Sequence, residues 1–251
     1  MPPGSLAIDS AVSQFRQFMW ISLAAGTLAG LALFALQHWT VQPLIVAAEA
    51  YEARDLEAHS GPDSEDSAWQ PSSPLERNAF TAMSTTLSGI GFAAVLFAVV
   101  ALFGSSLTAA RGALWGLAGY ACFSLAPALG LPPVPPGVAA AGLQARQLWW
   151  VATVLATATG LALLAGARRH WLLRIAGVAM ASLPHVIGAP EGAPAAAQQS
   201  IVPEPLIRQF TIASLASQAV FWILLGAIGG YLFARAAREG EAAQRVPPHG
   251  S

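Results

Sequence analysis

Long runs free of Asp, Glu and Arg alternate with short polar segments along this chain. The clearest are residues 18–38, 80–103, 112–130, 147–167 and 209–234. A sixth, 170–188, carries only Arg174, near its start, where a long side chain can snorkel to an interface. A bilayer core of about 30 Å needs roughly 20 apolar helical residues, and each run is near that length. The pattern predicts an all-α fold: a polytopic integral membrane helical bundle of about six transmembrane helices. Residues 18–235 form the transmembrane domain, flanked by a segment 1–17 and a tail 236–251. The first run is longer than the 7–15 apolar residues of a secretory signal, and only Arg16 precedes it as a cation, so it reads as an uncleaved anchor.

Composition supports this reading. Of 251 residues, 55% are hydrophobic and 10% charged, against roughly a quarter charged in soluble domains. Disorder over most of the length is excluded by the same apolar content. Every basic residue is arginine, and a phosphate-binding loop needs Gly-Lys-Ser/Thr, so none is present. The single Cys122 excludes a disulfide framework and a cysteine zinc site. A net charge of −1 gives no case for nucleic acid as a partner.

Six spans place both termini on one side. That side holds Arg16, Arg111, Arg168, Arg169, Arg174, Arg235, Arg238 and Arg245, whereas the other holds Arg54, Arg77, Arg146 and Arg208. Arginine favours the cytoplasm, so both termini are expected there. The outer side gathers acids instead, most of them in the loop 40–79.

Candidate chemistry lies on that outer side. After Pro43, a good early helical residue, Glu49, Glu52 and Asp55 recur every three residues and His59 follows Glu52 by seven, so they share one helix face. Carboxylates and imidazole suit several first-row divalent metals; the plain alternative is a solvated surface helix. Ser60 to Pro74 reads as a flexible acidic linker. Four prolines, Pro132, Pro133, Pro135 and Pro136, exclude a helix between the third and fourth spans. Trp149 and Trp150 mark the interface where the fourth span starts. The stretch Ser182 to Pro190 ends or breaks the fifth span around Pro184, leaving His185 beside freed carbonyls. His38 closes the first span at the same level. Glu49, Glu52, His185 and His38 are therefore the candidate metal ligands, expected to meet at one outer mouth.

Within the spans, Gly26/Gly30, Gly112/Gly116 and Gly226/Gly230 have the spacing that lets helices approach closely. Hydroxyl tracks run through Thr81, Ser84, Thr85 and Ser88, and through Ser214, Ser217 and Gln218. No Asp or Glu lies inside a span, which argues against a carboxylate proton relay. No catalytic spacing links the histidines and Cys122, so an enzyme is not expected; a non-transporting scaffold is the remaining alternative to a transporter.

Several blocks together resemble the CbtA family of proposed bacterial cobalt transporter subunits. They are PLIVAAEAYE (43–52), LSGIGFAAVL (87–96), LWGLAGYACFSLAPALGLPP (114–133), ARQLWWVATVLATATGLAL (145–163), LPHVIGAP (183–190) and QFTIASLASQAVFWILLGAIGGYL (209–232). The resemblance implies uptake of Co²⁺ across the bacterial cytoplasmic (inner) membrane for cobalamin synthesis. It implies a small single-span partner of CbtB type, and no resident cofactor besides the transported ion. Glu49, Glu52 and His185 fall inside matching blocks.

Overall fold

A computed structural model describes residues 3–59, 71, 73–104, 106–166, 170–190 and 200–245, with side chains omitted at 3–10, 55–59 and 243–245. The acidic linker after His59, Arg168, Arg169, Glu191, the end of the tail and the side chains of Asp55 and His59 thus lie outside it. Among the described residues there is no strand. The elements are α1 (Pro3–Thr40), α2 (Gln42–His59), α3 (Pro74–Leu102), α4 (Ala109–Tyr120), a π-helical turn (Ala121–Leu125), α5 (Ala126–Gly130), α6 (Leu143–Gly166), α7 (Trp171–Ile187) and α8 (Glu204–Arg245).

Among the described residues, five stretches are long and apolar enough to cross a membrane: Ala11–Thr40, Pro74–Leu102, Ala109–Gly130, Leu143–Gly166 and Glu204–Ala242. The protein is thus a polytopic helical membrane protein. The sixth expected span differs. Its helix, α7, has 17 residues, about 25 Å of rise and the lower limit for a span. It stops at Ile187 because Gly188 takes φ 93°, a conformation that turns the chain out of the helix. Elsewhere the helices outrun the charge-free windows. Capped by Ser73, α3 starts at Pro74, six residues before Phe80: the Ser73 Oγ accepts the Glu76 N–H (3.2 Å) and Pro74 fits the first helical position.

The chain divides into two compact units. One comprises residues 1–34, 72–117 and 219–251. In it α1 meets α3 backbone to backbone: a Cβ on Gly26 would strike the Ile90 Cα, and one on Gly30 would lie 2.6 Å from the Thr85 carbonyl oxygen. The two glycine pairs of α4 and α8 face each other. A Cβ on Gly112 would strike the Gly226 carbonyl oxygen, and one on Gly116 that of Trp222. Aromatics join α3 to α8, with Phe92 5.0 Å from Trp222 and Phe97 5.3 Å from Phe233 between centroids; Gly229 leaves the space Phe97 occupies. Phe97, Phe221, Trp222 and Leu225 are buried.

The second unit comprises residues 35–71 and 118–218. Here α6 and α7 approach through Gly160 and Gly177, where a Cβ on either would lie 2.6–2.8 Å from the other's carbonyl oxygen. The proline-rich segment after α5 is non-helical, as expected. It is held by Thr211, whose hydroxyl donates to the Pro133 carbonyl (2.8 Å), and by Gly137, whose φ of 79° turns the chain against Ile201 and Val202.

Proline also explains the π turn. Pro127 has no N–H, so in an α-helix the carbonyl four residues earlier, that of Phe123, would lack its donor. The ladder widens there instead, with Ala126 N–H donating to the Ala121 carbonyl. The Trp150 indole N–H then donates to the Phe123 carbonyl (3.2 Å) from α6, its ring 6.0 Å from that of Phe123. A side chain from another helix thus satisfies the carbonyl that Pro127 leaves without its helical donor.

Two outcomes test these contacts. Gly112→Ala should lower the thermal midpoint in detergent by overpacking, at a cost of about 1–3 kcal/mol, whereas Gly91→Ala, where nothing lies within 4 Å, should leave it unchanged. Trp150→Phe keeps a ring but removes the donor, and should cost about 1–3 kcal/mol through the unpaired Phe123 carbonyl; the same thermal measurement, set beside Trp115→Phe, checks it.

Candidate functional site

Pro43 shapes the end of α1. It cannot donate to the Trp39 carbonyl, so the helix breaks over one residue. Val41 N–H still bonds the Gln37 carbonyl (2.9 Å), and Ile45 N–H restarts the ladder on Val41 (3.1 Å). α2 therefore follows α1 with no intervening loop, and residues 42–59 of the expected outer loop are helix. Ala48 is fully buried and Val41 nearly so. One side of α2 is therefore packed, which a wholly solvated surface helix would not be.

The expected ligands fall into two groups. His38, half-buried, lies in the last turn of α1 with its ring edge-on to Trp39 at 5.2 Å. Glu49 is half-buried beside Ala48, and Glu52, one helical turn on, is exposed. Arg54 places its guanidinium 5.8 Å from the Tyr51 ring centre. His185 belongs elsewhere. It sits in the last turn of α7, its ring edge-on to Trp149 at 6.0 Å. The Trp149 N–H donates to the Gly188 carbonyl (3.1 Å), and the indole fills the space a side chain at Gly130 would need. The Gly188 carbonyl, just past the end of α7, is thus occupied by an indole, and His185 is part of that packing.

Among the described residues no three of His, Cys, Asp or Glu come together to hold a metal ion. The expected convergence of Glu49 with both histidines at one mouth is therefore not assembled in this structure. Glu49 and Glu52 do share a face of α2, which gives a pair of carboxylates able to attract a cation rather than to enclose it.

The hydroxyl tracks are largely engaged in their own helices. Thr81 donates to the Arg77 carbonyl (2.9 Å), Thr85 to that of Thr81 (3.0 Å) and Ser217 to that of Ala213 (2.7 Å). Ser217, fully buried, also lies 3.4 Å from the Thr40 hydroxyl.

A cleft of about 900 Å³ opens between the end of α5, the proline-rich segment and the first two turns of α6. Its walls are mainly Pro, Ala, Leu and Trp, and Arg146 is its charged residue. A guanidinium repels a dication, which disfavours cation binding in this cleft. Sequence reasoning did not anticipate it; the signal was an arginine four residues ahead of Trp150 after a run of prolines.

Searches among curated proteins and among solved structures return no significant match. A family model does match, over residues 15–234, and its description is "Probable cobalt transporter subunit". The match takes in nearly every helix described above, including the α1–α2 junction, the π turn and the Trp149–Trp150 pair, and on that extent the chain belongs to the CbtA family.

Proposed function

We propose that this protein is the membrane subunit through which Co²⁺ enters the bacterial cytoplasm across the inner membrane, for use in cobalamin synthesis. Its family is one of transporter subunits and not of enzymes, and a subunit implies a partner. In this reading both termini are cytoplasmic, as the placement of eight arginines against four favours, and α2 lies on the outer side. The partner is a small single-span protein of CbtB type.

The observation that carries the capture step is the carboxylate pair Glu49 and Glu52, on a helix that continues from the His38 end of α1. Acids concentrated on one side raise the local concentration of cations in a salt-dependent way. A loosely held ion suits passage, because a closed cage would bind too tightly to release it. In this reading His38, in the last turn of α1, receives the ion next, and His185 joins the path once its contact with Trp149 opens. The membrane potential supplies about 2.3 kcal/mol per elementary charge at 100 mV, and about twice that for a divalent ion, enough for inward accumulation without a nucleotide site.

Radiolabelled cobalt uptake by proteoliposomes holding the chain with its partner tests this reading. An inside-negative potential should accelerate uptake. Glu49→Gln with Glu52→Gln should slow it by about ten-fold at low ionic strength, and by less in high salt. Wild-type uptake by that double variant at equal abundance would move the capture site elsewhere. A reporter fused within 60–70 should register on the outer side; a cytoplasmic signal there would defeat the proposed orientation.

A further inference from the structure

The cleft at the start of α6 has features that cobalt passage does not use. Arg146 projects into it, and its Nε is wholly shielded from solvent yet has no acceptor among the described residues. Arg146 as a whole is half-buried, but its shielded Nε–H is a charge-assisted donor left without an acceptor, which points to a ligand that supplies one. Arg146 is also the first residue of α6 whose N–H joins a helical bond, to the Gly142 carbonyl (3.1 Å). The N–H groups of Leu143, Gln144 and Ala145 precede the ladder and carry the positive end of a 24-residue helix. Leu143, Arg146 and Gln147 all line the cleft, so the helix terminus and the guanidinium serve the same space.

From this arrangement we infer that the cleft binds the phosphodiester headgroup of an anionic phospholipid. An anion at a helix N-terminus beside arginine is a favoured arrangement. The walls select a lipid over a free anion. Leu143 and Val151 line the cleft and are also exposed on the outer surface of α6, so the space is continuous with the apolar face that meets acyl chains. Trp149 and Trp150, both lining the cleft, occupy the level at which indoles anchor helices beside headgroups. The phosphate accepts from Arg146 Nε and the first turn of α6, and one chain lies along the proline and alanine wall. Glu191 follows Pro190, a lining residue, and is the one nearby acid in sequence that would compete for Arg146.

The test uses the full chain in an uncharged detergent, with binding read by native mass spectrometry and thermal midpoint. Phosphatidylglycerol should bind and raise the midpoint, and diacylglycerol with the same chains should bind about ten-fold more weakly, as loss of charge-assisted hydrogen bonds predicts. Arg146→Gln should lower phosphatidylglycerol affinity by about ten-fold. Arg146→Lys keeps the charge without the Nε donor, should give an intermediate loss, and decides the matter if Arg146→Gln is not recovered as a monodisperse species. Inorganic phosphate should not compete at comparable concentration. Equal binding by wild type and the Arg146 variants, or by diacylglycerol, would overturn the proposal, as would full competition by inorganic phosphate. So would a lipid-free Glu191→Gln protein destabilised as much as Arg146→Gln, because Glu191 would then be the acceptor.

Discussion

Within hydrocarbon, helices gain nothing from hiding apolar side chains from one another, because lipid tails are equally apolar. Close packing and hydrogen bonding must hold them instead. In this protein the contacts that do so are places where two backbones touch without side chains between them. Gly112 and Gly116 meet Gly226 and Trp222, Gly26 and Gly30 meet α3 from Thr85 to Ile90, and Gly160 meets Gly177. Larger residues then fill the flanks, as Phe97 does beside Gly229 and Trp222 beside Phe92. Each compact unit has at least one such contact, and the aromatic packing in each is built around the approach the glycines allow.

Proline sets the second constraint. Pro43, Pro127 and Pro184 each remove a backbone donor from a helix. The responses differ. At Pro43 the helix breaks and restarts, turning the chain into α2. At Pro127 it widens, and an indole from α6 takes the free carbonyl. At Pro184 the helix runs on to Ile187, and a second indole, Trp149, donates to the Gly188 carbonyl past the helix end rather than to the Met180 carbonyl that Pro184 cannot serve. The tryptophans that mark an interface by their position also serve as hydrogen-bond donors to non-helical or widened backbone.

Much of this was legible in the sequence. Charge-free runs located the helices because hydrocarbon excludes charge, and the glycine spacing located close contacts because it is a property of one helix surface. Pairing was not legible: nothing in Gly112 and Gly116 indicates that their counterpart is Gly226 rather than Gly26. The extent of α7, Trp171–Ile187, lies within one residue of the expected 170–188 at each end, because Gly188 and Pro190 mark its stop in the sequence itself. The candidate site was legible only along single helices. Glu49 and Glu52 share a face because three-residue spacing guarantees it, whereas the grouping of His185 with Trp149 instead of Glu49 depends on how α6 meets α7. The arginine and prolines that line the cleft around Arg146 are visible along the chain, whereas the meeting of three separate segments that forms it is not.

The bond between Trp150 and the Phe123 carbonyl has a consequence for how such chains can vary over time. The indole is needed there because residue 127 is an imino acid; any ordinary residue at 127 would bring its own amide and make the distant donor redundant. Substitutions at 127 and 150 are therefore coupled in their cost. Losing the indole first leaves the Phe123 carbonyl without its donor, whereas losing the imino acid first leaves only a spare indole N–H, so the two orders of change are not equivalent.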